Sequence, residues 1–256
     1  VLAASSQLIR EVISSVKDQE SLYGYDLANE IDNFVKLDSR EEAIKWVEFV
    51  VQEIKVIDNT HPITMGLHLN NIEEERGFWP EDLTSVCDFL SMHSYSLYAK
   101  WADDYLDGKV AGFTNRLIAK MSGARVMHTE FGICTIKGKT EKAAVGEYPF
   151  VEEKAAQTYL ANSLKGLYEN GALGALFWCY SDYHPSIFSQ PPFEHSIHER
   201  SFGLFRDDGS LKPYKNIIEK YQNLEVKQIV QPKDIDNAIY YKQPLVYLKE
   251  EYKKFS

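Results

Sequence analysis

The sequence has little of what would mark a nucleic-acid-binding, disulfide-stapled or membrane-spanning protein. Lysine and arginine number 28 against 38 aspartates and glutamates, a formal net charge of -10. The cations form no stripe of the kind that neutralises phosphates, so nucleic acid is excluded as the expected partner. Cysteine is scarce: Cys87, Cys134 and Cys179 are three, an odd number, far apart and without CxxC spacing. That pattern suggests neither a disulfide framework nor a thiolate zinc site, and Cys134 and Cys179 are expected to pack as small apolar residues at strand ends. No apolar run approaches the roughly 20 residues that cross a bilayer, so no membrane partner is expected. The opening "VLAASSQLIREV" lacks the charged, apolar and cleavage regions of a secretory signal. The chain starts at Val1 rather than Met, and its cellular location stays open. Repeats and low-complexity segments are also missing, apart from an alternation of strands and helices.

What is present is ample apolar material. The 256 residues are 44% hydrophobic and 13% aromatic, enough for a sizeable core within the single-domain range. Ile9, Val12, Ile13 and Val16 fall at helical spacing, and "SLYGYDLANE" follows as a strand-like run ending in polar residues. "SREE", Ser39 to Glu42, has the form of a capping box, after which Ile44, Val47, Val51 and Ile54 repeat at steps of three and four. The unit then recurs. "ITMGLHLN", "CDFLSMHSYS", "ARVMHTEFG" and "ALGALFWCYSDY" read as strands. "FTNRLIAKMSG" and "EEKAAQTYLANSLKGLYENG" read as helices stopped by Gly123 and Gly171. Tyr214, Ile217, Ile218 and Tyr221 place a further helix after Pro213.

Near-continuously apolar strands alternating with amphipathic helices predict a parallel α/β architecture, because crossover helices cover both faces of the strands. Five strands are visible, whereas a (β/α)8 TIM barrel needs eight. The expectation is a barrel lacking its first three β/α units in this sequence, with an open sheet as the alternative. Residues 1–221 would form the C-terminal portion of the barrel. Residues 222–256 would be a charged extension of unassigned role, with a possible strand at Leu245 to Leu248.

In parallel barrels chemistry gathers at the C-terminal ends of the strands. Those ends carry Asn29 and Glu30, His68 and Asn70, His93 and Tyr95, Glu130, and Trp178. Two carboxylates at the ends of non-adjacent strands suit glycosidic hydrolysis, which needs one carboxyl group to protonate the leaving oxygen and another to attack or to activate water.

"LANE" (Leu27 to Glu30), "MHSY" (Met92 to Tyr95), "HTEFG" (His128 to Gly132) and "ALFWCYSD" (Ala175 to Asp182) resemble strands four, six, seven and eight of clan A glycoside hydrolases. The nearest likeness is to glycoside hydrolase family 5, the cellulase and mannanase family of (β/α)8 barrels. "ERSFGLFRDDGSLKP", Glu199 to Pro213, is similar to the segment that follows strand eight, and the likeness spans Leu22 to about Tyr221. The resemblance implies Glu30 as acid/base catalyst and Glu130 as nucleophile. It also implies Asn29 on the substrate 2-hydroxyl, Tyr95 holding the nucleophile, His93 as an active-site imidazole, and Trp178 as the platform beneath the sugar. The family is retaining, which calls for carboxyl groups roughly 5–5.5 Å apart. One must keep its proton near neutrality while the other is ionised. Ile31 and Asp32 follow the Asn-Glu pair where many family members have proline, and the arginine that the family draws from its first strands has no counterpart here.

Each of these residues has a plainer reading. Asn-Glu pairs often flank helices, His93 can be a structural histidine, and Trp178 can be core. Trp79 in "RGFWPED" reads either as a neighbouring subsite or as a loop anchor. His184, His195 and His198 match no familiar ligand spacing and are expected to line a cleft rather than bind metal. "NIEEER", Asn71 to Arg76, is expected to be a solvated face. The leading expectation is a retaining β-glycosidase, with no cofactor and no metal, acting on a β-linked hexose polysaccharide or oligosaccharide of mannan or glucan type. The alternatives are a sugar-binding pseudo-enzyme and, behind it, a barrel lyase or metal-dependent hydrolase using the histidine-rich loop. Oligomeric state is left open.

Overall fold

In the computed structural model, which describes residues 2–35, 39–137, 141–142 and 148–255, the first half of the chain alternates helix and strand. The elements are α1 (Leu2–Val16), β1 (Tyr25–Asn29), α2 (Arg40–Lys55), β2 (Ile63–Leu67), two short helices α3 (Asn70–Glu73) and α4 (Pro80–Leu83), and β3 (Leu90–His93). Next come α5 (Lys109–Ser122), β4 (Val126–Phe131), the short strands β5 (Thr135–Ile136), β6 (Glu141–Lys142) and β7 (Pro149–Glu152), α6 (Glu153–Glu169) and β8 (Ala175–Phe177). Helices α7 (Lys215–Tyr221), α8 (Asn237–Tyr240) and α9 (Pro244–Phe255) complete the chain.

The five strands read from the sequence form one sheet in the order β1-β2-β3-β4-β8. β1 and β2, β2 and β3, and β4 and β8 pair in parallel. Every residue of β2 and β3 is buried, as expected of strands covered on both faces. The sequence pattern missed a second sheet, β5-β7-β6, whose strands are too short to show a period.

Local signals explain the helices. Ser39 stands in extended backbone and its side chain accepts from the Glu42 amide at 3.2 Å, so the predicted cap opens α2. Ala43, Val47, Val50, Val51 and Ile54 are its buried stripe, and each valine or isoleucine so covered contributes about 1.5–3 kcal/mol relative to exposure. Gly123 and Gly171 stop their helices with φ of 76° and 74°, a left-handed turn that glycine adopts without steric cost.

The chain divides into two units, one of Val1–Met92, Leu117–Met127 and Val230–Glu250, the other of His93–Arg116, His128–Ile229 and Glu251–Ser256. The division falls within β3 and β4. Within the first unit, the extension packs through Tyr240 and Tyr241, whose hydroxyls donate to the Ile72 and Asn71 carbonyls at 2.7 and 2.5 Å. Within the second, Tyr95, Phe131, Ile133, Tyr159, Leu160, Leu164 and Phe202 form a buried core.

Two expectations are corrected. Leu245 to Leu248 is helix α9, not strand: Leu245 and Val246 are exposed while Leu248 and Tyr252 are buried four residues apart, a helical spacing that a short apolar run conceals. Asn71 to Arg76 is not simply a solvated face either. Asn71 and Ile72 are buried, and Arg76 is turned onto Asp32.

No helix among the described residues is long and apolar enough to cross a membrane. All three cysteines are free thiols. Cys134 is fully buried, its thiol pushed up to about 12 by burial, and Cys179 is half-buried.

Candidate active site

In the first unit the end of β1 is shaped by a bulge. Asp26 pairs with Thr64 but Asn29 pairs with Gly66, so β1 spends three residues where β2 spends two. Asp26 Oδ1 fills the gap by accepting from the amides of Gly66 at 3.1 Å and Ala28 at 3.3 Å. A bulge re-aims the side chains that follow it. Asn29 emerges exposed, and Glu30 follows with φ of 47°, the one left-handed residue other than glycine among those described. Such strained backbone gathers at functional positions.

Glu30 Oε2 accepts from Asn33 Nδ2 at 2.8 Å and lies 3.9 Å from His68 Nδ1. The other ring nitrogen of His68 is 2.9 Å from Asp32 Oδ2, which also receives Arg76 Nε at 2.9 Å and Asn71 Nδ2 at 3.3 Å. Burial raises the Asp32 pKa, but the hydrogen bonds and charge of His68 and the bond from Arg76 outweigh it and hold the group below its ordinary value. Asp32, the second residue after the Asn-Glu pair, is thus the carboxylate that fastens His68 and Arg76.

In the second unit a register shift recurs around Glu130. His128 pairs with Ala175 and Phe131 with Phe177, three residues against two. Glu130 Oε2 accepts from the Tyr95 hydroxyl at 2.7 Å, and Oε1 lies 3.7 Å from His93 Nδ1. The Glu130 carbonyl receives the Ser94 amide at 3.0 Å, which sets the end of β3 beside β4. Beneath them His128 is fully buried, 2.8 Å from Ser94 Oγ, with its pKa pushed down to about 3 by burial and by His93. The sequence-predicted His93, Tyr95 and Glu130 are therefore brought together. The Trp178 amide donates to the Phe131 carbonyl at 2.9 Å, placing Trp178 just past β8, and the Trp178–Cys179 peptide is cis.

Trp79 is packed by two side chains: the Arg40 guanidinium carbon stands 3.4 Å from its ring centroid, and Tyr241 stacks at 5.0 Å. His184, His195 and His198 turn to separate local partners, Ser186, Glu194 and the pair Tyr98 and Glu199. Among the described residues these three histidines form no common ligand group.

Sequence reasoning missed Tyr98 and Glu199. The Tyr98 hydroxyl donates to Glu199 Oε1 at 3.1 Å, and His198 Nε2 lies 3.0 Å from that hydroxyl and 3.3 Å from Oε1. Trp178 also helps to hold the Glu199 pKa down. The available signal was "HER" at His198 to Arg200, in a segment likened to the family but given no role.

No protein-family model matches the chain, and no curated protein matches it either. Solved structures do. GH5_18 from Streptomyces cattleya, in complex with GlcNAc, aligns with a TM-score of 0.72 at 14% identity, over 91% of this chain and 55% of that one. A GH5_18 protein from Bifidobacterium longum subsp. longum, in complex with Manβ1-4GlcNAc, aligns at 0.71 and 15% identity, over 89% and 54%. An exo-β-1,4-mannosidase from Opitutaceae bacterium strain TAV5 aligns at 0.67 and 20% identity, over 86% and 39%. This chain spans about half or less of the length of these structures, and at such identities the likeness shows the fold, a parallel α/β sheet of the kind that glycoside hydrolases carry.

Proposed function

We propose that this chain is part of a (β/α)8 barrel nearest to glycoside hydrolase family 5, and that it serves a retaining β-glycosidase acting on a β-linked hexose oligosaccharide or polysaccharide. The observation that carries the reading is the 2.7 Å hydrogen bond from Tyr95 to Glu130, with His93 beside the same carboxylate. A phenol donating to a carboxylate fixes its rotamer and leaves a lone pair for attack. The reading assigns Glu130 the nucleophile's part and Glu30 that of acid/base.

In the first step Glu130 attacks the anomeric carbon, the glycosidic C–O bond breaks, and Glu30 delivers its proton to the departing oxygen. In the second, Glu30 takes a proton from water as the water oxygen attacks the same carbon and Glu130 departs. Asn29 would hold the 2-hydroxyl, and Trp178 would offer an apolar face to the sugar ring. Within mannan-type and glucan-type substrates, the neighbour named as a mannosidase and the one holding Manβ1-4GlcNAc favour a β-mannoside.

The test is release of reducing ends from β-manno- and β-gluco-oligosaccharides by the 256-residue chain and its Glu130→Gln variant. Activity confined to the parent supports the assignment, and equal activity in both removes Glu130 from it. A second reading, sugar binding without turnover, is favoured by the chain's spanning only about half of its GH5_18 neighbours. Calorimetric binding of an oligosaccharide with no product on long incubation would select it.

A further inference from the structure

The second unit holds a third carboxylate that the proposed two-step chemistry does not use. Glu199 sits on a single 3-10 segment, Ile197–Ser201, whose position is fastened from both sides. Arg200 donates to the Phe193 carbonyl at 2.5 and 2.8 Å and to the Phe188 carbonyl at 3.1 Å, while Lys212 Nζ donates to the Ser201 carbonyl at 3.1 Å. The guanidinium beside Glu199 is thus spent on backbone oxygens rather than on neutralising the carboxylate.

Three side chains grip Glu199 itself. His198 Nε2 lies 3.0 Å from the Tyr98 oxygen and 3.3 Å from Glu199 Oε1, and the Tyr98 hydroxyl donates to Oε1 at 3.1 Å. Burial keeps the Tyr98 phenol a donor by raising its pKa. Burial also raises the pKa of Glu199, but the bond and charge of His198, then Tyr98 and Trp178, outweigh this and hold it below the ordinary value, so the group is anionic at neutral pH.

The setting is aromatic. Tyr98 packs edge-on against Tyr95, the residue bound to Glu130, with centroids 5.5 Å apart. Tyr148 closes on Tyr98 at 4.9 Å and on His198 at 4.6 Å. The Glu199 side chain retains 29% exposure despite its partners, and the tryptophan that helps to hold its pKa down is the residue proposed to carry the sugar.

Resting on the glycosidase reading, we infer that Glu199 is a specificity-determining residue that accepts hydrogen bonds from hydroxyls of the sugar seated on Trp178 and so restricts this subsite to neutral hexoses. A carboxylate is an acceptor only, so it suits a ring presenting hydroxyl donors. Among the described residues Arg200 is held on backbone oxygens and His198 is already engaged by Tyr98 and Glu199, so a hexuronate would set a second anion against Glu199, a like-charge penalty that selects by exclusion.

The experiment is calorimetric titration of the 256-residue chain, and of Glu199→Gln and Tyr98→Phe, with methyl β-D-mannopyranoside and methyl β-D-glucuronide. The parent is expected to prefer the neutral sugar at least tenfold, a result that does not depend on any variant's folding. Glu199→Gln keeps the shape and removes the charge, and should lower that preference tenfold or more. Tyr98→Phe should weaken both sugars while keeping their ratio within about threefold, because the charge remains. A parent that binds the uronide as tightly as the mannoside, or a Glu199→Gln variant with an unchanged ratio, overturns the inference and leaves the glycosidase reading standing. Absence of binding and cleavage of every sugar by the parent takes down the glycosidase reading, and this inference with it.

Discussion

The Tyr95 hydroxyl donates to Glu130 Oε2 across 2.7 Å, joining a residue just beyond β3 to the end of β4. A hydrogen bond to a charged group is worth about 1.5–3 kcal/mol. Tyr95→Phe keeps the ring in the core beside Phe202 and removes only the donor. Turnover of a β-mannoside should fall roughly ten- to hundredfold, with the melting temperature little changed. Steady-state kinetics on the parent and variant check this, and an undiminished kcat would detach Tyr95 from the nucleophile's part proposed for Glu130.

Asp32 is the shared acceptor for His68, Asn71 and Arg76. Asp32→Asn removes the buried counter-ion of Arg76 and leaves it only the exposed Glu74, so the cost should be about 1–3 kcal/mol, below the full value for a buried pair. The folded-state pKa of Asp32 lies below 3.8, so the unfolded chain binds the proton more readily. This contribution is complete above the ordinary carboxylate value and is lost as pH falls through the folded one. Urea midpoints measured between pH 6 and pH 3 should drop in the parent and drop less in Asp32→Asn.

Lys212 is buried to 2% exposure, with Nζ on Asp182 Oδ1 at 2.7 Å and Thr135 Oγ1 at 2.8 Å. Lys212→Met should cost about 3–5 kcal/mol, since it strands Asp182 beside the Gly203 amide with no cation. Removing the stranded charge as well, in Lys212→Met/Asp182→Asn, should return part of the loss. Thermal melts of the four proteins in that cycle decide it; simple additivity of the two single changes would show that the pair is not coupled.

Gly132 follows β4, where an added Cβ would stand 2.3 Å from the Trp178 carbonyl and 3.2 Å from the Phe202 ring. Gly132→Ala must therefore push Trp178 away, at a cost of about 1–3 kcal/mol. A lowered melting temperature together with a shifted tryptophan emission is the expected result. A variant as stable as the parent would mean that the two chain segments separate freely.

The sequence by itself determined the alternation of elements and the residues that end the strands. Helical steps such as Val47, Val51 and Ile54, the Ser39 cap, the stops at Gly123 and Gly171, and the apolar runs ending at Asn29, His93 and Phe131 are all local, set by backbone sterics and by the period of burial within a few residues. Glu30 and Glu130 could be singled out because each stands at such an end. The short strands β5 to β7 and helix α9 lay beyond that reach, being too brief or too ambiguous in period.

Only the tertiary structure decided which polar groups meet. Tyr98 and Glu199 are 101 positions apart, Lys212 and Thr135 77, Asp32 and Arg76 44. The bulges that re-aim Asn29 and flank Glu130 come from register between strands, which neither strand carries alone. The physical reason is that a buried polar group must find a partner wherever the crossovers bring one, and that demand leaves no period in the chain.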